Sequence, residues 1–247
     1  VGQGSPLMSY RQWQALLSDS GFHATHCMQG SHFLRRTAVI VAQRAHSRLS
    51  CSQGLKCTGA LLTGGLGGLG LLTARFIVQA DAPRLLALFS RSGRVQVSSE
   101  LDWNALVNDS YNQHIWCPIG DACQSIDISA TLRECDARQL VMGIWHMASA
   151  FGEIASHTGV AGQFAPKVGC AQHLHLSSMW RPLHSFNMCS SAASLLPCYA
   201  RGQPSYAAAN AWLVSFSSVR RKVGMRASSI AWGHLDIGIT ERARLTQ

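Results

Sequence analysis

Thr58-Gly-Ala-Leu-Leu-Thr-Gly-Gly-Leu-Gly-Gly-Leu-Gly70 is the stretch on which the reading of this 247-residue chain turns. Its apolar run Ala60 to Leu62 predicts a buried strand. A glycine-rich turn follows at once, and Leu71 to Ala80 predicts a helix. Strand, then Gly-x-Gly-x-x-Gly (Gly65, Gly67, Gly70), then helix is the order of a dinucleotide-binding turn. A Cβ at those positions would block the turn and hold the backbone away from a pyrophosphate. The helix N-terminus then offers unpaired N–H groups to the phosphates. Thr63, Gly64, Gly65, Leu66, Gly67 and Gly70 are therefore the candidate cradle. The fold class this predicts is α/β, a Rossmann-type doubly wound parallel sheet with helices on both faces.

Outside that stretch, composition excludes several classes. Hydrophobic residues make up 47% and charged residues 13%, which supports a buried core rather than disorder. The formal charge is +9, but the 21 Lys and Arg are spread along the chain. No clustered basic face argues for nucleic acid. The one tight cluster, Arg220-Arg221-Lys222, sits at the end of a predicted helix, where cations favour the dipole. Nine cysteines without a Cys-x-x-Cys pair argue for reduced thiols and a cytoplasmic protein rather than a disulfide framework or a metal site. His23, His26, Cys27 and His32 match no common ligand spacing, so no metal is expected. No apolar run approaches the roughly 20 residues of a membrane span.

The first fifty residues read separately. Tyr10 to Phe22 predicts a short amphipathic helix and Ala38 to Ala42 a strand, with a polar boundary at Ser47 to Cys57. The expected division is 1–50, the tail of a preceding domain, which resembles either a methyltransferase-type domain or a structural subdomain, and 51–247, the dinucleotide-binding domain. The start at Val1 and the end at Gln247 are those expected of a piece of a longer polypeptide.

Further along, Leu85 to Phe89 predicts a second strand, ending in Ser90-Arg91-Ser92-Gly93. That strand end meets the adenosine ribose in dinucleotide folds, and an arginine there accommodates a 2′-phosphate. Arg91, flanked by the hydroxyls of Ser90 and Ser92, therefore selects NADPH as the expected cofactor. Leu101 to Val107 predicts a helix, Gln113 to Cys117 a third strand, and Ile126 to Leu140 a helix. Asp121 is a candidate for the adenine edge. Val141 to Met147 predicts a fourth strand, with Ala148 bordering the cofactor at its carboxyl end. A helix from Phe164 carries Lys167. Leu183 to Met188 predicts a fifth strand, followed by Cys189-Ser190-Ser191, and Ala227 to Trp232 a last one. The helix between them begins near Pro204 and exits at Gly224. It carries Tyr206 and Asn210, four apart and so on one face.

Leu61 to Gly70, Phe89 to Gly93, Ala165 to Val168, Cys189 to Ala193, Gln203 to Ala211 and Ser229 to Gly233 stand in the order found in one family. The chain resembles a ketoreductase domain of a modular polyketide synthase, in the short-chain dehydrogenase/reductase superfamily. The resemblance runs from 58 to about 238, and its most specific piece is Tyr-x-x-x-Asn with the lysine far upstream. It implies that Tyr206 is the proton donor and Ser191 a hydrogen-bond donor to the substrate carbonyl. Lys167 and Asn210 would complete the tetrad, the asparagine holding Lys167 or a water in place. It also implies reduction of a β-ketoacyl thioester on an acyl carrier protein, beside neighbouring synthase domains. A developing alkoxide needs such donors, and a nearby ammonium is expected to lower the tyrosine pKa from near 10. The interval from Ser191 to Tyr206 is longer than the family's, leaving Ser190 open as the functional hydroxyl. The family's His-Ala-Ala-Gly reads His146-Met147-Ala148-Ser149. A stand-alone reductase of a free ketone and a catalytically decayed scaffold stay open beside the synthase reading.

Overall fold

The computed structural model describes residues 22–29, 38–44, 58–110, 113–149, 162, 164–195 and 203–233. The chain divides into two units, Val1–Ser52 and Gln53–Gln247. In the first, β1 (Phe22–Gln29) and β2 (Ala38–Arg44) form an antiparallel pair. The expected helix from Tyr10 lies outside the described residues except for Phe22, which opens β1 instead. His23, His26 and Cys27 stand on that strand, and His32 is outside the described residues.

The second unit follows strand–helix alternation. Its elements are β3 (Gly59–Thr63), α1 (Gly68–Asp81), β4 (Leu85–Phe89), α2 (Glu100–Asp109), β5 (His114–Trp116), α3 (Ser125–Arg138) and β6 (Val141–His146). A π-helical turn, Ala165–Gly169, then leads into α4 (Cys170–Ser178), β7 (Ser185–Ser191), α5 (Pro204–Lys222) and β8 (Ser228–Trp232). The six strands run parallel in the order β5-β4-β3-β6-β7-β8. This is the doubly wound order, and it reverses between β3 and β6.

Strand periodicity explains the layers. Successive side chains of a strand face opposite ways, so a sheet covered on both sides needs apolar residues at every position. Along β3 and β4, Ala60, Leu62, Leu86 and Leu88 pack with Leu71, Ala74, Ile77 and Val78 of α1 and Leu106 of α2. The alternate residues Leu61, Leu85, Ala87 and Phe89 pack on the other face. Their partners there are Ile128 and Leu132 of α3, Leu174 of α4 and Leu213 of α5. Burying a Leu or Ile side chain contributes about 2 kcal/mol, so the two faces together dominate the stability of this unit.

Two expectations change. The fifth strand runs to Ser191, so Ser190 and Ser191 are strand residues rather than a loop after one. Arg220 is not a surface cation at a helix end. It is buried, its guanidinium stacks 3.9 Å over Phe186, and it donates to His175 Nδ1 and the Arg226 carbonyl. Arg221 and Lys222 remain exposed in the last turn of α5, and Gly224 leaves it at φ +81°.

Candidate active site

The residues expected at the site gather at the carboxyl ends of the parallel strands. Thr63 ends β3, Ser90 to Ser92 follow β4, Ala148 follows β6, and Ser191 ends β7. In open α/β sheets the ligand crevice lies there, where the strand order reverses.

Between β3 and α1 the backbone doubles back tightly. Gly64 adopts φ +70°, and its N–H donates to the Phe89 carbonyl at 2.9 Å. A Cβ on Gly64 would stand 2.9 Å from the Ala148 nitrogen, and one on Gly70 would stand 2.4 Å from the Gly64 oxygen. α1 begins behind Gly67 with no side-chain cap and no acidic residue in its first turn. Its leading N–H groups therefore face the crevice end without a competing acceptor of their own. This arrangement fits the diphosphate of a nicotinamide dinucleotide.

Arg91 is exposed beyond β4, and no ion pair among the described residues involves it. Ser90 Oγ accepts the Gly93 N–H at 3.0 Å, and Ser92 Oγ accepts the Arg94 N–H at 3.2 Å. Both hydroxyls thus shape the turn that presents the guanidinium. Asp121 is engaged locally, its Oδ1 accepting the Cys123 N–H at 3.0 Å.

The four residues of the expected tetrad come from three elements. Lys167 sits in the π turn, buried, with Nζ donating to the Cys189 carbonyl at 3.1 Å. Its ammonium lies 5.4 Å from the centre of the Tyr206 ring. Burial lowers the Lys167 pKa. Burial raises the Tyr206 phenol, and hydrogen bonds to Ser191 and Asn210 pull it partly back. The expected lowering by an ammonium is therefore absent. Lys167 is turned onto a strand carbonyl, and desolvation of the phenol outweighs the bonds that favour its ionised form.

Asn210 is fully buried and donates from Nδ2 to the Tyr206 carbonyl at 2.8 Å, steadying the first turn of α5. Its Oδ1 is buried with no hydrogen-bond partner among the described residues. The two serines separate clearly. Ser190 is buried and donates to the Asn210 carbonyl at 2.9 Å. Ser191 is half-buried and bonded to the phenol, the contact that Ser190 does not make.

Two features were not legible as site elements. One is the π turn that carries Lys167; Pro166, which has no N–H to give, is its one sequence signal. The other is His146, buried between the Thr63 hydroxyl and the Lys167 carbonyl at 2.8 Å from each.

A family model, the KR domain, matches residues 58–236. The chain is 36% identical over 179 residues to a mycocerosic acid synthase-like polyketide synthase of Mycobacterium tuberculosis, covering 70% of this chain and 8% of that protein. It is 32% identical over 178 residues to the phthioceranic/hydroxyphthioceranic acid synthase of the same species, with the same coverage. It thus spans less than a tenth of the length of these relatives. Among solved structures, an A-type ketoreductase from a modular polyketide synthase aligns with a TM-score of 0.70 at 24% identity, covering 96% of this chain and 50% of that one. An N-terminal ketoreductase from the macrolactin assembly line aligns with a TM-score of 0.65 at 26% identity, covering 83% and 42%. The chain belongs to the KR-domain family, the ketoreductase domains of polyketide synthases within the short-chain dehydrogenase/reductase superfamily.

Proposed function

We propose that this chain reduces the keto group of a β-ketoacyl thioester, carried on an acyl carrier protein, to the β-hydroxyacyl form with NADPH. One observation carries the reading. The Tyr206 phenol is bonded to Ser191 at the carboxyl edge of the sheet, with the Lys167 ammonium 5.4 Å from its ring. NADPH, when bound, supplies the hydride that reaches the carbonyl carbon. Tyr206 donates the proton that the oxygen takes up, and solvent later restores it. Ser191 gives a second donor to the same oxygen, so charge developing there meets two fixed O–H groups. Because burial holds the phenol pKa up, Tyr206 keeps its proton through the neutral range, as a donor for reduction must. Lys167 and Asn210 keep the phenol and its helix in place.

Thr63, Gly64, Gly65, Leu66, Gly67 and Gly70 would hold the cofactor, with Ala148 bordering it. Arg91 would take the 2′-phosphate, with Ser90 and Ser92 beside it. Residues 1–50 fit the tail of a preceding synthase domain, and neighbouring synthase domains are the expected partners.

The test is NADPH consumption by the purified chain with a β-ketoacyl thioester surrogate, beside Tyr206→Phe. Turnover in the parent and loss of at least a thousandfold in the variant is the expected result, on the order of a removed general acid. Equal rates in the two proteins, or a parent that binds NADPH and turns over no β-ketoacyl thioester, would overturn it.

A further inference from the structure

We propose that His146 is a positioning residue, a neutral imidazole strut tying the Lys167 main chain to Thr63 and so setting where the Lys167 ammonium stands. The proposal rests on the reductase reading for its consequence in turnover, and on geometry for itself. Thr63 and His146 are the last residues of adjacent parallel strands and are in register. Both are buried. The imidazole is 2.8 Å from Thr63 Oγ1 through Nδ1 and 2.8 Å from the Lys167 carbonyl through Nε2. A carbonyl only accepts, so Nε2 carries the proton. Nδ1 is then bare and accepts from the Thr63 hydroxyl, which in turn accepts from the Cys170 thiol at 3.8 Å. Every polar atom of the ring is used, and one tautomer satisfies all of them.

Charge agrees with that assignment. The titratable groups facing the ring are Lys167 from the π turn and, beyond Thr63, Cys170 of α4. An imidazolium would stand without a counter-charge beside an ammonium. Burial, and then Lys167, hold the His146 pKa down to about 3.

The π turn explains why an external anchor matters. In it the Cys170 N–H is shared between the Ala165 carbonyl, five residues earlier, and the Lys167 carbonyl, and Pro166 contributes no donor. The ordinary i→i−4 ladder is therefore interrupted where Lys167 leaves the backbone. His146 supplies a bond from the sheet to that turn. At the other end of the side chain, the Cys189 carbonyl of β7 takes Nζ. Lys167 is thus held at its root from β6 and at its tip from β7, and a flexible four-carbon stem between the two anchors places the charge near Tyr206. A displacement of about 1 Å at such a group is enough to lower turnover on the order of a hundredfold.

Three substitutions in the full chain separate this from a merely well-packed core histidine. His146→Gln places an N–H near Nε2 and keeps the bond to Lys167. His146→Asn serves Thr63 but is too short for Lys167, and His146→Phe serves neither. The ammonium of Lys167 is followed by 15N-lysine NMR through a pH titration, a readout independent of activity. We expect its titration to move in the Asn and Phe variants and to stay near the parent's in the Gln variant. The kcat for a β-ketoacyl thioester surrogate should fall tenfold or more in Asn and Phe, with KM for NADPH within twofold, and recover in Gln. An unmoved Lys167 titration in Asn and Phe, in folded protein, overturns the proposal whatever the turnover. Absence of turnover in the parent overturns the reductase reading instead, and the Lys167 titration still decides the strut.

Discussion

Two neighbouring serines at the end of β7 have different tasks, and the difference is one of side-chain direction. Ser190 points into the protein and donates to the Asn210 carbonyl, whereas Ser191 faces Tyr206. With Ser191 as the proposed second donor to the developing alkoxide, Ser191→Ala should lower kcat about a hundredfold with the urea midpoint unchanged. Ser190→Ala should instead cost about 1 kcal/mol of stability and spare most of kcat, because it removes one buried hydrogen bond between β7 and α5. Initial rates and urea unfolding of the two variants side by side check both outcomes. Arg91 makes a separate prediction. It is exposed and in no ion pair with another described residue, so its charge is available to a 2′-phosphate. Arg91→Ala should raise KM for NADPH about tenfold and leave KM for NADH nearly unchanged, in line with one lost charge-assisted hydrogen bond.

At the scale of elements, the glycine turn decides how closely α1 approaches the strands. A Cβ on Gly70 would meet the Gly64 and Gly65 oxygens at 2.4 and 2.7 Å, both backbone atoms that cannot swing aside. Gly70→Ala must therefore lift the start of α1 off the turn. The expected result is a loss of NADPH affinity of tenfold or more with the far-ultraviolet circular dichroism retained, measured by fluorescence titration. Retained affinity would mean that the turn has slack the geometry does not show.

The whole second unit carries a built-in sensitivity to acid. His146 titrates at about 3 in the folded chain, against an ordinary histidine value near 6.5. Its folded pKa lies below its unfolded one, so its contribution is complete above about pH 6.5 and is lost as pH falls towards about 3. Only the unfolded chain takes up that proton in this window. Burial and then Arg220 depress His175 in the same direction. Between pH 7 and pH 4 the His146 contribution alone should remove on the order of 3 kcal/mol. Urea midpoints at pH 7, 5.5 and 4 check this. His146→Gln should flatten the fall, since glutamine binds no proton.

What could be read without coordinates was what local rules govern. The Gly-x-Gly-x-x-Gly turn after an apolar strand, the two-sided apolar strands and the four-residue spacing of Tyr206 and Asn210 all follow from steric and periodic constraints within a few residues. They led to an α/β sheet of the observed class and to the KR family. The site's fine structure did not follow, because it depends on atoms far apart in the chain. Whether Ser190 or Ser191 faces the phenol is set by where β7 ends against α5. Whether burial or hydrogen bonding governs the Tyr206 phenol is set by how far folding removes it from water, while Lys167, near the ring, gives its hydrogen bond to the Cys189 carbonyl. Arg220 reads as a helix-end cation until the fold lays it over Phe186, 34 residues earlier. His146 reads as one letter of a motif until β3 and β6 pair and the π turn settles against it. By itself the sequence determined the sheet, the turn and the candidate tetrad, since each is encoded in neighbouring residues. Only the tertiary structure decided which groups touch and which are deprived of water, because hydrogen bonds and desolvation exist only between surfaces that folding brings together.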